Sequence, residues 1–237
     1  MVGSCSIILH GDRGTIQEKI KVANIRKGVN VMKTILKKMI FFIFFSLFSL
    51  VMINAHAYAA SGFQGYAIYR DGVFFNYTWH AGMMDGPYYD SYLPVLHAPG
   101  SGSYVKWDTW NNFMKGNNFK GVYRPKRQPS SSERDRFVAL GRKLRSEHIP
   151  YTLIYQVNYN TKTSGTWVDA EEITQMRCDG VVEYIYEWYG FRVYGHDQYW
   201  DVTKNSAINR DHHSLNLVTP KSQTGYLSKV QSGVPKR

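Results

Sequence analysis

One thiol and two imidazoles carry the chemistry open to this sequence. Cys178 lies in Arg177-Cys178-Asp179-Gly180, His80 in Trp79-His80-Ala81-Gly82, and His97 in Leu96-His97-Ala98. A cysteine nucleophile needs a base to take its proton and a third group to fix that base in one tautomer. Cys178 would supply the nucleophile, His80 the base and His97 the orienting group. Each also has an ordinary structural role open to it: a lone cysteine as a small buried hydrophobe, a strand histidine as a satisfied core residue.

The elements that must position these groups follow from periodicity. After Cys178, residues Val181, Val182, Ile185, Trp188 and Tyr189 recur at helical spacing, and Gly190 stops the helix. Cys178 therefore sits at a helix N-terminus, where backbone amides and the macrodipole lower a thiol pKa. Upstream, Gly65 to Arg70 and Val73 to Met83 read as strands around an Asp71-Gly72 turn, and Tyr92 to Ala98 as a third. His80 and His97 on successive strands can share one face of a sheet. A helix packed on that face and starting at Cys178 completes a Cys-His-His constellation. Tyr104 to Trp107 and Phe119 to Tyr123 read as further strands, with a short helix over Asp108 to Phe113 between them. Ser130 to His148 is a helix with a solvated basic face, and Tyr151 to Tyr159 a strand. The tail from Thr219 reads as extended or loose.

Composition bounds the setting. In 237 residues, 43% hydrophobic and 15% aromatic content supports a sizeable core. Met32 to Ala59 has the three parts of a secretory leader: Lys33, Lys37 and Lys38, the apolar run Met39 to Ile53, then Ala57-Tyr58-Ala59. Cleavage is expected near Ala59, with an uncleaved anchor as the alternative, and residues 1–31 read as an extension ahead of the true start. Of the formal charge of +11, about half belongs to the first 59 residues; 21 basic and 16 acidic side chains follow Ala59, a mild excess that does not call for nucleic acid. Cys178 is the single cysteine after the leader, and an unpaired cysteine in an oxidising compartment invites a reactive role. His196, Asp197, Asp201, Asp211, His212 and His213 lack the spacing that fixes two ligands on one helical face, so no metal and no cofactor is expected. Nothing in the sequence sets an oligomeric state.

The segments Trp79-His80-Ala81-Gly82-Met83, Leu96-His97-Ala98-Pro99-Gly100-Ser101-Gly102 and Phe119-Lys120-Gly121-Val122-Tyr123-Arg124-Pro125 resemble the sheet half of the NlpC-type papain-like cysteine hydrolase superfamily. Arg177-Cys178-Asp179-Gly180-Val181-Val182-Glu183-Tyr184 resembles its nucleophile helix. Because the histidine strands precede the cysteine, the resemblance is to the circularly permuted branch, with YaeF-like and YiiX-like proteins and lecithin retinol acyltransferase. It spans Gly65 to Gly190. It implies an α+β, papain-like fold over residues 60–218 in which an antiparallel sheet carrying the histidines packs against the cysteine helix, leaving 219–237 as a tail. It also implies Cys178 as nucleophile, His80 as base and His97 as its orienting partner. The expected function is that of an exported amidase or peptidase, periplasmic or secreted, acting through a thioacyl-enzyme on a peptidoglycan peptide or another acylated small substrate, at a membrane or cell-wall surface. Two alternatives stay open: a lipid-directed acyltransferase or thioesterase using the same catalytic residues, suggested by the aromatics Tyr88, Tyr89, Tyr92, Trp107 and Trp110, and a catalytically silent cell-wall or glycan binding domain in which the aromatics stack on sugars and Cys178 is merely buried.

Overall fold

Period-two alternation along the strands sorts the core into two layers. The computed structural model describes residues 33, 36–40, 59–73, 78–163, 165–195, 200–205 and 218–237. The chain divides into two units, Met1–His56 and Ala57–Arg237, and the second holds every strand described below. Most of the expected leader, the extension before it, and His196, Asp197, Asp211, His212 and His213 lie outside the described residues. Among the described residues, no helix is long and apolar enough to cross a membrane.

The protein is mixed α+β. Its strands are β1 (Ala67–Val73), β2 (Thr78–Met84), β3 (Val95–His97), β4 (Lys106–Asp108), β5 (Phe119–Pro125), β6 (Val157–Tyr159), β7 (Ile173–Met176) and β8 (Leu227–Gln231). Among the described residues of this second unit the α-helices are α1 (Trp110–Met114), α2 (Ser131–Ser146), α3 (Cys178–Trp188) and α4 (Pro220–Gln223). Six strands form an antiparallel sheet in the order β4-β3-β2-β1-β5-β8, and β6 pairs with β7 apart from it.

Ala67, Tyr69, Ala81, Met83, Leu96 and Tyr123 point to one face of the six-stranded sheet. They pack there with Phe137, Leu140 and Leu144 of α2 and with Val181, Val182 and Ile185 of α3. Ile68, Met84, Val95 and Val122 point to the other face and meet Phe113 of α1. Each large apolar side chain buried in these layers contributes about 1.5–3 kcal/mol. α2 starts at a capping box in which Ser130 and Glu133 satisfy each other's backbone N–H. Its basic face is not uniformly solvated: Arg134 is buried and donates to the carbonyls of Ala60, Gly62 and Gln64.

Three local expectations change. Asp108 ends β4 rather than opening a helix, and Thr109 caps α1 by accepting from the Asn112 N–H. Of Tyr151 to Tyr159 only Val157–Tyr159 is a strand; Leu153 and Ile154, 39% and 56% exposed, have no strand opposite them. The tail is not loose: after α4 it forms β8, which pairs with β5 at the edge of the sheet. The buried Gln223 of α4 ties it inward, accepting from the Tyr69 hydroxyl (2.6 Å) and donating to the Asp179 carbonyl (3.1 Å) and the Glu183 carboxylate (2.7 Å).

Candidate active site

Sheet register brings the two histidines together. β2 and β3 pair as Met83↔Leu96 and Met84↔Val95, so continuing the ladder sets His97 opposite Gly82 and diagonal to His80 on the same face. His80 Nε2 lies 2.7 Å from His97 Nδ1, and both rings are buried. The Phe113 ring packs against each, 5.4 Å between centroids. Gly82 makes room for it, since a Cβ there would stand 2.9 Å from the Phe113 ring and 2.9 Å from Val95.

A fourth group extends the chain. His97 Nε2 faces Asp108 Oδ2 at 3.4 Å, and Lys106 Nζ approaches the same oxygen at 3.0 Å. Asp108 Oδ1 accepts from the Thr109 N–H (3.1 Å) and Asn112 Nδ2 (2.6 Å). The hydrogen bond from His97 and those from Asn112 and Lys106 hold the Asp108 carboxyl well below the usual carboxylate range, against its burial. An ionised carboxylate only accepts, so His97 Nε2 carries the proton and Nδ1 is the acceptor. His80 Nε2–H then donates to His97 Nδ1, which leaves His80 Nδ1 as a bare lone pair. Burial pushes His80 well below the ordinary imidazole value, and His97, Arg70 and Lys115 push the same way. Burial also lowers His97, with Asp108 opposing it. The relay Asp108–His97–His80 is therefore neutral beyond its first member at neutral pH.

Cys178 is the first residue of α3, as its place before the apolar stripe implies. Its thiol does not follow the expectation for a helix N-terminus. The N–H groups of Ala81 and Asp179 and the charge of Arg177 favour a thiolate, but burial and the Asp179 carboxylate outweigh them and push the thiol up to about 12. The Arg177 charge is largely neutralised, since Nε and Nη2 meet the two Asp179 oxygens at 2.6 and 2.7 Å.

The Cys178 thiol and the His80 imidazole face one cleft of about 1350 Å³, whose lining also includes Arg70, Trp79, Pro99 and Tyr151. They reach it from the two sides of β2. His80 shares the face of Phe113, whereas α3 packs on the opposite face, against Ala81 and Met83. This corrects the expectation that the cysteine helix packs on the histidine face. Among the described residues no hydrogen bond joins Cys178 Sγ to His80 or His97. His80, His97 and Cys178, read from the sequence, thus gather as a bonded imidazole pair and a thiol in one cleft.

Sequence reasoning missed Asp108 and Arg70. Extending the Tyr104 to Trp107 strand by one residue would have found the first, because β3 and β4 pair with His97 opposite Lys106 and Val95 opposite Asp108. Arg70 pairs with His80 across β1 and β2, a register that the Asp71-Gly72 turn alone does not define. No protein-family model matches the chain, and neither a curated protein nor a solved structure matches it.

Proposed function

We propose that the folded unit is an exported cysteine hydrolase of permuted papain-like type, an amidase or peptidase acting on cell-wall peptides. The observation that supports this reading is a three-membered buried relay, Asp108–His97–His80, ending at a cleft that also holds the Cys178 thiol. A purely structural histidine needs no partner chain that sets its tautomer and leaves one ring nitrogen bare.

In this reading thiol and imidazole both rest neutral, so proton transfer accompanies attack. His80 Nδ1 takes the thiol proton, across the cleft through one water or after Cys178 turns about χ1, while Sγ bonds to the substrate carbonyl carbon. The carbonyl π pair moves to oxygen, and backbone N–H groups at the start of α3 stabilise that oxyanion. The imidazolium returns its proton to the leaving amine as the C–N bond breaks. Water then attacks the thioacyl carbon, gives a proton to His80, and releases the acid and the thiol.

The test is incubation of the protein from Ala60 onward with peptidoglycan stem peptides, reading new amino termini. Cys178→Ala and His80→Ala should each cut turnover by about a thousandfold or more. Absence of turnover, together with iodoacetamide labelling of Cys178 no faster in the parent than in His80→Ala between pH 6 and 8, sinks the enzyme reading and leaves a binding domain. A second reading, acyl transfer or thioester hydrolysis on lipids, is favoured by exposed Leu153 and Ile154 at the cleft, which could hold an acyl chain. Release of acyl groups from lipids, with stem peptides untouched, would select it.

A further inference from the structure

We infer that Arg70 is a carboxylate-binding residue of the cleft, so that the substrate carries a carboxylate close to the bond that Cys178 attacks. This rests on Cys178 being the reacting group.

Arg70 is only 5% exposed, and a buried cation requires compensation. Its Nε donates to the Phe113 carbonyl and its Nη1 to the Asp71 carbonyl at 2.8 Å. Both partners are neutral. Among the described residues no carboxylate lies within salt-bridge distance of it, and no hydrogen bond is made by Nη2. The neighbouring Asp71 carboxylate is already engaged by Lys120 at 2.7 Å and by Asn118 at 2.8 and 3.0 Å.

The contrast with Arg177 is informative, because both guanidiniums line the cleft. Arg177 is saturated: Asp179 takes Nε and Nη2, and the carbonyls of Leu153, Ile154 and Val218 take what remains. Arg70 is held rigidly by two backbone carbonyls with one nitrogen left for the cleft. Among the described residues no Asp or Glu lines the cleft, so none of them repels an anion or competes for that nitrogen. One open nitrogen on a fixed guanidinium matches a carboxylate oxygen. The charge sits beside the chemistry, since Arg70 pairs with His80 across the ladder and acts electrostatically on both His80 and Cys178.

Haloacetyl reagents test this without knowledge of the substrate. Iodoacetate and iodoacetamide alkylate a thiolate by the same displacement, in which Sγ bonds to the methylene carbon and iodide leaves with the C–I pair. They differ in one carboxylate. Relative to free cysteine, the protein should prefer iodoacetate, and Arg70→Gln should lower the iodoacetate-to-iodoacetamide rate ratio by about tenfold to a hundredfold. An unchanged ratio overturns the inference, and so does an equal fall of both rates, which would make Arg70 a counter-ion of the thiolate instead. If Arg70→Gln does not fold, the wild-type protein decides: propionate should compete with iodoacetate where propionamide does not, and equal behaviour of the two overturns it. Failure of the hydrolase reading looks different, because both reagents would then label Cys178 no faster than in His80→Ala.

Discussion

Asp108→Asn should disable the relay while leaving its shape intact. The wild-type carboxylate presents Oδ1 to two donors, the Thr109 N–H and Asn112 Nδ2, and Oδ2 to His97 and Lys106. An asparagine amide in the same place keeps its oxygen on the fixed Thr109 N–H and Asn112 Nδ2, because the half-exposed Lys106 can turn to solvent, and this leaves its NH2 facing His97 Nε2. His97 then accepts at Nε2 and carries its proton on Nδ1, His80 accepts at Nε2, and the proton that remains on His80 occupies Nδ1. The base is blocked two residues away from the substitution. A catalytic histidine held in the wrong tautomer loses about 10⁴-fold, and the 3.4 Å contact argues for a smaller figure here, about 10³-fold or about 4 kcal/mol. Asp108→Ala removes the carboxylate without installing a donor, so both tautomers stay accessible and about tenfold is expected. The assay is the burst of 4-nitrophenolate as Cys178 is acylated by 4-nitrophenyl acetate, whose leaving group needs no proton and so isolates the base step. Thermal melts of each variant control for folding. The isosteric Asn variant should be slower than Ala; Asn equal to wild type, or faster than Ala, refutes the tautomer relay.

Two further outcomes follow from the geometry. Gly180→Ala should destabilise the fold by about 1–3 kcal/mol in urea melts, because its Cβ would sit 2.0 Å from the Gln156 carbonyl oxygen, a backbone atom fixed by the Arg177 N–H at 2.9 Å. Gly225→Ala, whose Cβ meets nothing within 4 Å, is the control and should be neutral. The Asp71 carboxyl is lowered from 3.8 to about 2, chiefly by Lys120 and also by Asn118. A depressed folded-state pKa contributes stability that is present above the ordinary value and lost as pH falls through about 4 towards 2. Asp71→Asn should therefore flatten the drop in melting temperature between pH 5 and pH 2.5, and an unchanged drop would show that Asp71 does not couple to folding.

Much of the site was legible because its signals are local. A cysteine ahead of a helical stripe, glycine and alanine beside His80, and two histidines on successive strands need only spacing to be read. What was not legible depends on partners distant in sequence. Asp108 precedes Thr109, a helix cap, so a one-residue uncertainty at a strand end hid the residue that orients the relay. The tail's Leu227-Ser228-Lys229-Val230-Gln231 looks like loose polar chain until β5 supplies its hydrogen bonds, and a lysine-bearing edge strand suits an exposed sheet margin. Alternation told that His80 and Ala81 point to opposite faces but not which face α3 would cover. Apolar volume decided it: Ala81 and Met83 offer a surface for Val181, Val182 and Ile185 that His80 and Gly82 do not.

The thiol shows how burial can reverse a local rule. A helix N-terminus alone would lower the Cys178 pKa, yet α3 carries Asp179, Glu183 and Glu187 along one buried face, and the first of these stands next to the sulfur. Burial dominates, and Asp179 offsets most of the Arg177 charge and adds its own repulsion, so the sulfur rests protonated. A resting thiol resists oxidation better than a thiolate. In the proposed mechanism it also shifts the whole task of activation to His80, and through it to His97 and Asp108. That division explains why a tautomer fixed two imidazoles away from the cleft should matter nearly as much as the base itself.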